Sequence, residues 1–183
     1  MDIRYVCSSE ERVTNTVLAT VADRALGMGI VLAGTVQPVD GPAPQQKCDI
    51  TLALLPDGQR RNISLDLGPG APGCRLDAGA LEEAVVIVQD RLPAAQALGV
   101  NNFGKQEASG RGLVSAIGEA CERGLPVLVG VAPEWREAFL AFAGDKAEPL
   151  PAEPDPILHW LQAACPAARP LTATEAPTGD LAR

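Results

Sequence analysis

The stretch Leu98–Gly112 reads LGVNNFGKQEASGRG and concentrates more ligand-facing chemistry than any other part of the chain. It holds four glycines, two adjacent amides, a lysine, a glutamate and an arginine. An apolar segment precedes it and a helical pattern follows it. In α/β proteins, ligands bind at the carboxyl ends of strands, in loops that lead into helices. The stretch therefore predicts an α/β fold with a binding cleft at this point.

The letters of this stretch come close to those of a phosphate-binding loop. Gly99–Lys105 has the spacing Gly-x-x-x-x-Gly-Lys, but Gln106 stands where a P-loop has the Ser or Thr that reaches magnesium. Gly110 and Gly112 also keep the backbone irregular where a P-loop continues directly into a helix. We therefore interpret the stretch as the loop on the far side of a nucleotide cleft.

In a nucleoside triphosphatase, the end of a later strand supplies acidic side chains for magnesium and catalysis. Here these positions hold Asn101 and Asn102, which form hydrogen bonds but bring no charge to a metal. Lys105 and Arg111 would meet an anion, and Glu107 is the one candidate catalytic carboxylate. No protein metal site is predicted. The alternative interpretation is that the asparagines and glycines only build a turn.

The segment after the first strand is the usual place for a phosphate loop. Ile3–Cys7 favours a strand, and Ser8 and Glu11 have the spacing of a helix capping box. The segment contains no glycine-lysine pair, and its two glutamates would repel phosphate. Ser8, Ser9 and backbone amides, with Arg12 nearby, would have to bind any anion here. The complete set of candidate ligand-binding residues is Ser8, Ser9, Asn101, Asn102, Gly104, Lys105, Glu107 and Arg111.

Apolar periodicity along the chain predicts alternating strands and helices. Buried strands are expected over 30–36, 94–100 and 126–131, and helices after the Ser8 cap, from the Asp77 cap to Arg91, over 113–121, after Pro133 and over 156–164. The helix after Pro133 is expected to turn Trp135, Phe139, Leu140 and Phe142 inward. A strand, a helix and a strand within the first 36 residues predict a parallel βαβ unit.

An antiparallel insertion is predicted by segments 48–55 and 62–67, which flank the turn Asp57-Gly58. The proline- and glycine-rich segments 38–46 and 68–73 predict surface loops. The expected fold is one three-layer α/β domain over residues 1–165, with a mostly parallel sheet and this antiparallel hairpin insertion. Residues 166–183 predict a disordered tail.

Composition excludes several classes of function. The net charge of −8 disfavours nucleic acids and anionic membranes as partners. No apolar run approaches the ~20 residues that span a bilayer, and the N-terminus lacks a secretory signal, so we expect a cytoplasmic protein. The five cysteines are widely spaced and predict reduced thiols. A small anionic ligand, another protein and a second copy of the chain remain open as partners.

Four segments resemble a bacterial family, domain of unknown function 2478. They are Cys74–Asp77, Asn101–Gly112, Gly124–Val131 and Glu137–Gly144. The resemblance covers most of residues 3–145, and the pattern Asn-x-Phe-Gly-Lys-x-Glu is its most specific part. Members of that family are often labelled nucleoside-triphosphatase-like or molybdenum-transport ATP-binding proteins. The resemblance therefore implies a P-loop-NTPase-like sheet and a link to molybdate metabolism.

The family is also similar to cancer-related nucleoside triphosphatases, whose magnesium-binding carboxylates would lie at the Asn101 loop. The sequence departs from that enzyme pattern, because no phosphate loop follows the first strand and no acidic pair ends the later one. Our hypothesis is a degenerate P-loop-type domain that binds a nucleotide, an oxyanion or a protein partner without turnover. One alternative is an active triphosphatase or phosphotransferase that uses Lys105, Glu107 and a magnesium nucleotide. The other is a structural interaction module.

Overall fold

The computed structural model describes residues 1–10, 12–39, 50–65 and 75–165. Within these ranges the strands are β1 (Ile3–Val6), β2 (Leu32–Val36), β3 (Thr51–Leu55), β4 (Gln59–Asn62), β5 (Ser64–Leu65), β6 (Arg75–Leu76), β7 (Ala97–Phe103), β8 (Val127–Val131) and β9 (Ala147–Pro149). The helices are α1 (Val13–Gly27), α2 (Ala78–Arg91), α3 (Lys105–Ala108), α4 (Val114–Glu122), α5 (Arg136–Ala143) and α6 (Pro154–Ala164). The elements alternate broadly as apolar periodicity predicts.

Seven strands form one mixed sheet in the order β4-β3-β2-β7-β8-β1-β9. The five strands from β2 to β9 in this order are parallel to one another. β3 runs antiparallel to β2, and β4 antiparallel to β3, so the predicted hairpin is confirmed at the sheet edge. The unit β1-α1-β2 is parallel as expected, although β7 and β8 lie between its two strands.

Helices cover both faces of the sheet. On one face, Val21 of α1 and Ile157 of α6 pack with Leu128 of the sheet. On the other face, Val88 of α2, Ile117 of α4 and Phe139 of α5 belong to a second core cluster. The predicted three-layer α/β architecture is therefore confirmed. Alanine, valine, leucine and isoleucine supply most of both clusters, as the low aromatic content requires.

The two predicted helix caps have opposite outcomes. Asp77 caps α2, and its Oδ1 accepts a hydrogen bond from the Ala80 amide at 3.0 Å. The start predicted at Ser8 is wrong, because α1 begins at Val13 after Arg12 in the left-handed region at φ 66°. The Ser8 Oγ instead accepts from the Glu10 amide at 3.1 Å. This two-residue turn competes locally with a cap.

β7 differs in position from the strand predicted over 94–100. It spans Ala97–Phe103, so Asn101 and Asn102 belong to the strand and do not follow it. Pairing with β8 continues to Phe103 opposite Val131, after a register shift beyond Val100. The apolar pattern stops at Val100, whereas the hydrogen-bonded ladder does not. The loop that carries the other candidates therefore begins at Gly104.

The hairpin and α5 also correct local predictions. The second hairpin strand is Gln59–Asn62, and not 62–67, because Ser64–Leu65 pairs with Arg75–Leu76 in a separate two-stranded sheet. Phe142 was expected to face inward, but its side chain is 42% exposed. Its ring still contacts that of Phe103, with centroids 5.5 Å apart.

Several predictions fall on residues outside the described ranges. They include the loop over 68–73, most of the loop over 38–46, and the tail over 166–183. Cys48 and Cys74 also lie there, while Cys7, Cys121 and Cys165 are free cysteines. Within the described ranges, no helix is both long enough and apolar enough to cross a bilayer.

Candidate functional site

An open cavity of 570 Å³ lies at the carboxyl ends of β2 and β7, beside the β3–β4 hairpin. Its polar side is lined by five amide side chains and one ammonium group, from Asn15, Gln37, Asn101, Asn102, Gln106 and Lys105. Its other side is apolar and is lined by Ile50, Leu52, Ile63, Leu76, Leu81 and Leu113. The size is typical of small-molecule sites, and such sites combine an apolar wall with a few placed polar groups.

Hydrogen bonds between side chains fix three of the amides that line the cavity. Asn101 is 8% exposed, and its Oδ1 accepts from the Oγ1 of Thr35 at 2.8 Å. Thr35 lies on the neighbouring strand β2 and is fully buried. The Nδ2 of Asn15, near the start of α1, donates to the Oε1 of Gln37 just beyond β2. Side chains from α1, β7 and the end of β2 therefore orient the polar side of the cavity.

Glu107 holds the turn after β7 in place. One carboxylate oxygen accepts from the Gly104 amide at 3.0 Å, and the other from the Leu113 amide at 3.2 Å. Gly112 passes so close that a Cβ there would lie 2.3 Å from the Glu107 Oε1. The Gly112 amide itself donates to Glu82 at 3.1 Å. Loop 104–113 is therefore organised around one buried carboxylate.

The environment of Glu107 has a defined effect on its ionisation. The residue is 7% exposed, and this burial raises the pKa of its carboxyl above the ordinary value of 4.5. The backbone donors at Gly104 and Leu113 oppose the increase, whereas the charge of Glu82 adds to it. Burial has the largest effect because removing a carboxylate from water disfavours its charged form.

Lys105 is the only cation among the described residues that line the cavity. It is the first residue of the one-turn helix α3, and its side chain is exposed. No carboxylate in the part of the chain that the structure describes forms an ion pair with it. Its ammonium group is therefore available to an anion that enters the cavity.

The structure brings five of the eight predicted ligand candidates to this cavity. They are Asn101, Asn102, Gly104, Lys105 and Glu107. Ser8, Ser9 and Arg111 are not among its lining residues. The two serines follow β1, which is separated from β7 by β8. Arg111 is exposed, and its backbone amide donates to the Gln106 carbonyl. The binding roles of all eight residues stay predictions.

Sequence reasoning missed the residues that other elements bring to the cavity. Gln37 directly follows β2, so the rule that ligands bind at strand ends could have identified it. Asn15 lies within the first turn of α1 and carries no such signal. The apolar wall of Leu52, Ile63 and Leu81 is a small core cluster of its own, beneath the hairpin. Only the tertiary fold places it opposite Lys105.

A comparison with known protein families shows which family the chain belongs to. The model of the family described as protein of unknown function (DUF2478) matches residues 3–160. The chain belongs to this family. The resemblance seen over most of residues 3–145 is therefore confirmed, and the family match continues it to residue 160 in α6.

A curated relative has the name molybdenum import ATP-binding protein ModC 2, from Bradyrhizobium diazoefficiens. It is 33% identical over 151 residues, which cover 80% of this chain but 16% of that protein. This DUF2478 chain thus spans a small part of its relative. The crystal structure of THEP1 from the hyperthermophile Aquifex aeolicus matches with a TM-score of 0.63, over 91% of this chain and 99% of that one. At 11% identity, this likeness shows the fold alone, and it confirms the P-loop-NTPase-like architecture.

Proposed function

We propose that this DUF2478 chain is a degenerate P-loop-type domain that binds a small anionic ligand without hydrolysing it. The observation that carries the proposal is the contrast between the two charged side chains that line the cavity. Lys105 is exposed and is not engaged by any described carboxylate, whereas both oxygens of Glu107 accept backbone hydrogen bonds. The described lining thus offers a free cation to an anion and no free carboxylate to a metal or a water molecule.

Triphosphate turnover needs two further parts that the described residues do not supply. A magnesium ion held by protein needs oxygen ligands, mainly carboxylates, at the end of a strand such as β7. Asn101 and Asn102 occupy these positions, and the Asn101 Oδ1 already accepts from Thr35. Among the described residues, no group of three His, Cys, Asp or Glu side chains could hold a metal ion. The donor set therefore does not fit a protein-held magnesium ion.

The second missing part is a phosphate cradle after β1. Such a cradle needs glycine amides and a lysine ahead of the helix. Here Ser8, Ser9 and Glu10 precede Arg12 and α1, and Ser8 Oγ is engaged by the Glu10 amide. Ligand binding on the β2 side of β7, at Lys105, is consistent with the loss of this cradle.

The relatives guide the choice of ligands to test. The words "ATP-binding" and "molybdenum import" in the relative's name support a nucleotide and molybdate as candidates for this chain. The matched region is also a small part of that long protein. This supports a second candidate function, in which the domain serves a larger assembly by contacting a protein partner.

Titration calorimetry of the full chain with ATP, ADP and molybdate, each with and without magnesium, tests the proposal. We expect saturable binding of at least one of these anions without magnesium, and no protein-dependent phosphate release. Lys105→Ala should weaken that binding at least about tenfold, which corresponds to the loss of one charge-assisted contact. Lys146→Ala is the matched control, because Lys146 is exposed and lies outside the cavity lining.

Two results would count against the proposal. Phosphate release that depends on Lys105 and Glu107 would establish the rival triphosphatase. Absence of binding to these three anions and to nucleoside monophosphates, with intact fold, would leave the interaction module as the better account. Light scattering with size-exclusion chromatography would then detect a second copy of the chain as the partner.

A further inference from the structure

We infer that the ligand is a planar nitrogen heterocycle that carries one anionic group, with a nucleoside monophosphate as the representative of the class. The inference rests on the proposed function and narrows its ligand from any small anion to this class. Three features of the cavity support it: the free atoms of its amides, the apolar wall opposite them, and the number of its cations.

The amide side chains leave specific hydrogen-bonding atoms free. Because Asn15 Nδ2 donates to Gln37 Oε1, the remaining atoms of this pair are the Asn15 Oδ1 acceptor and the Gln37 Nε2 donor. Asn101 has its Oδ1 on Thr35, which leaves its Nδ2 as a donor. None of these three atoms has another partner in the part of the chain that the structure describes, and none is a buried unsatisfied atom. They are therefore accessible from the cavity.

Two donors and one acceptor, held by other side chains, match the edge of a heterocyclic base. A single Asn or Gln amide recognises adenine by pairing with an adjacent donor and acceptor on the ring. An inorganic oxyanion offers acceptors alone and would leave the Asn15 Oδ1 without a donor. The polar side of the cavity thus favours an organic ring with mixed donors and acceptors.

The opposite side of the cavity supplies apolar surface for the faces of such a ring. Leu52, Ile63 and Leu81 are 1%, 4% and 5% exposed and hold this wall in place. The half-buried side chains of Ile50 and Leu76, which pack against them, offer the accessible apolar surface. Small-molecule sites commonly bind the body of a ligand in this way and orient it with a few polar groups. A bare phosphate or molybdate ion would gain nothing from this wall, whereas a base would bury its faces against it.

The charges limit the ligand to about one anionic group. Among the described residues that line the cavity, Lys105 is the single cation, and Glu107 adds a carboxyl. One phosphate group carries about −1.5 to −2 charges at neutral pH, which one lysine and nearby amides can offset. A triphosphate would bring several more charges, and no second cation stands among the described lining residues to offset them. The monophosphate is therefore favoured over the triphosphate.

Calorimetry with the full chain tests the inference without any variant. The ligands are the monophosphates of adenosine, guanosine, cytidine and uridine, with ATP, ribose 5-phosphate, inorganic phosphate and molybdate. We expect at least one nucleoside monophosphate to bind at least about tenfold more tightly than the other four compounds. If phosphate, molybdate or ribose 5-phosphate binds as tightly, or if ATP binds more tightly, the inference is wrong while the proposed function stands. If no anion binds, both are wrong.

Gln37→Met separates recognition of the base from recognition of the anion. The substitution removes both the Nε2 donor and the Oε1 that accepts from Asn15, and it keeps the length of the side chain, so monophosphate affinity should fall at least about tenfold. Affinity for inorganic phosphate, measured by competition at high concentration, should not change. Gln162→Met is the matched control, because Gln162 is exposed on α6 and bonds Met28 there. Equal loss for phosphate and monophosphate, or no loss for either, would overturn the inference.

Discussion

The hydroxyl of Thr35 donates to the amide oxygen of Asn101 at 2.8 Å, between two neighbouring strands in the middle of the sheet. Both side chains are buried. Thr35→Val keeps the shape and removes the donor, which leaves the Asn101 Oδ1 unsatisfied. We expect the free energy of unfolding in urea to fall by about 1–3 kcal/mol. Monophosphate affinity should fall with it, because Asn101 is no longer held in place.

Thr35→Ser provides the control for this bond, because it retains the hydroxyl and loses only a methyl group. It should preserve ligand affinity. A Thr35→Val variant with unchanged stability and affinity would show that Asn101 does not depend on Thr35 for its orientation.

Gly112 and Gly110 permit a matched test of the turn around Glu107. Both have a positive φ, 60° and 77°, so alanine at either position costs about 1–2 kcal/mol of backbone energy. Only at Gly112 would the new Cβ meet a side-chain atom, 2.3 Å from the Glu107 Oε1. Gly112→Ala should therefore lose at least about 1 kcal/mol more than Gly110→Ala on chemical unfolding. Equal losses would mean that the carboxylate moves aside without cost.

Glu107 should make stability depend on pH. Its pKa is raised in the folded state, so the folded chain holds this proton more tightly than the unfolded chain does. The free energy of unfolding therefore decreases as pH rises from near 4.5 through the raised pKa, by at most about 1.4 kcal/mol per pH unit. Glu107→Gln lacks this titration. Urea unfolding over this window should show a smaller decrease for the variant than for the natural chain.

The comparison of slopes isolates Glu107, because all other titrating groups are present in both proteins. Absolute stability of Glu107→Gln should be lower at the acidic end, since the Gly104 and Leu113 amides donate to different oxygens of Glu107 and the Nε2 of glutamine cannot accept a hydrogen bond. Parallel stability curves for the two proteins would contradict the burial of an ionisable carboxyl at this position.

Substitutions of Asp77 test the predicted helix cap at the start of α2. Its side chain satisfies the Ala80 amide at the start of α2. Asp77→Ala should lower the free energy of unfolding by about 1 kcal/mol, whereas Asp77→Asn should retain most of it, because asparagine is also a good cap. Thermal unfolding followed by circular dichroism measures both. If the alanine variant is as stable as the asparagine variant, the Asp77 cap does not contribute to the stability of α2.

Features set by neighbouring residues could be predicted from the sequence. The Asp77 cap, the Asp57-Gly58 hairpin and the buried strand near Val127–Val131 depend on a few adjacent side chains, and all are present. The cap at Ser8 failed, although its signal was similar. There the Ser8 hydroxyl could accept a hydrogen bond either as a helix cap or within a short turn. In the structure it accepts from the Glu10 amide, which forms the turn and not the cap.

Features set by distant residues could not be predicted. β7 extends to Phe103 by backbone pairing with Val131 of β8, and its Asn101 bonds Thr35, 66 positions away in the sequence. A cleft at Lys105 was predicted, but its other lining residues were not, since Gln37 and Leu81 reach it from the end of β2 and from α2. Lys105 and its neighbours were identified as candidates because so many polar and charged residues are unusual in one short loop. The residues that surround them in space could be identified only from the tertiary structure.

Because β8 lies between β1 and β7, it sets the distance between the chain segments that follow those two strands. Adjacent strands lie about 4.8 Å apart, so the chain segments that leave β1 and β7 start about 10 Å from each other. A molecule that contacts the backbone of both segments must be at least about that long, which exceeds the size of a tetrahedral oxyanion. Crosslinkers of graded length between Ser9 and Lys105 would measure the separation of the two segments.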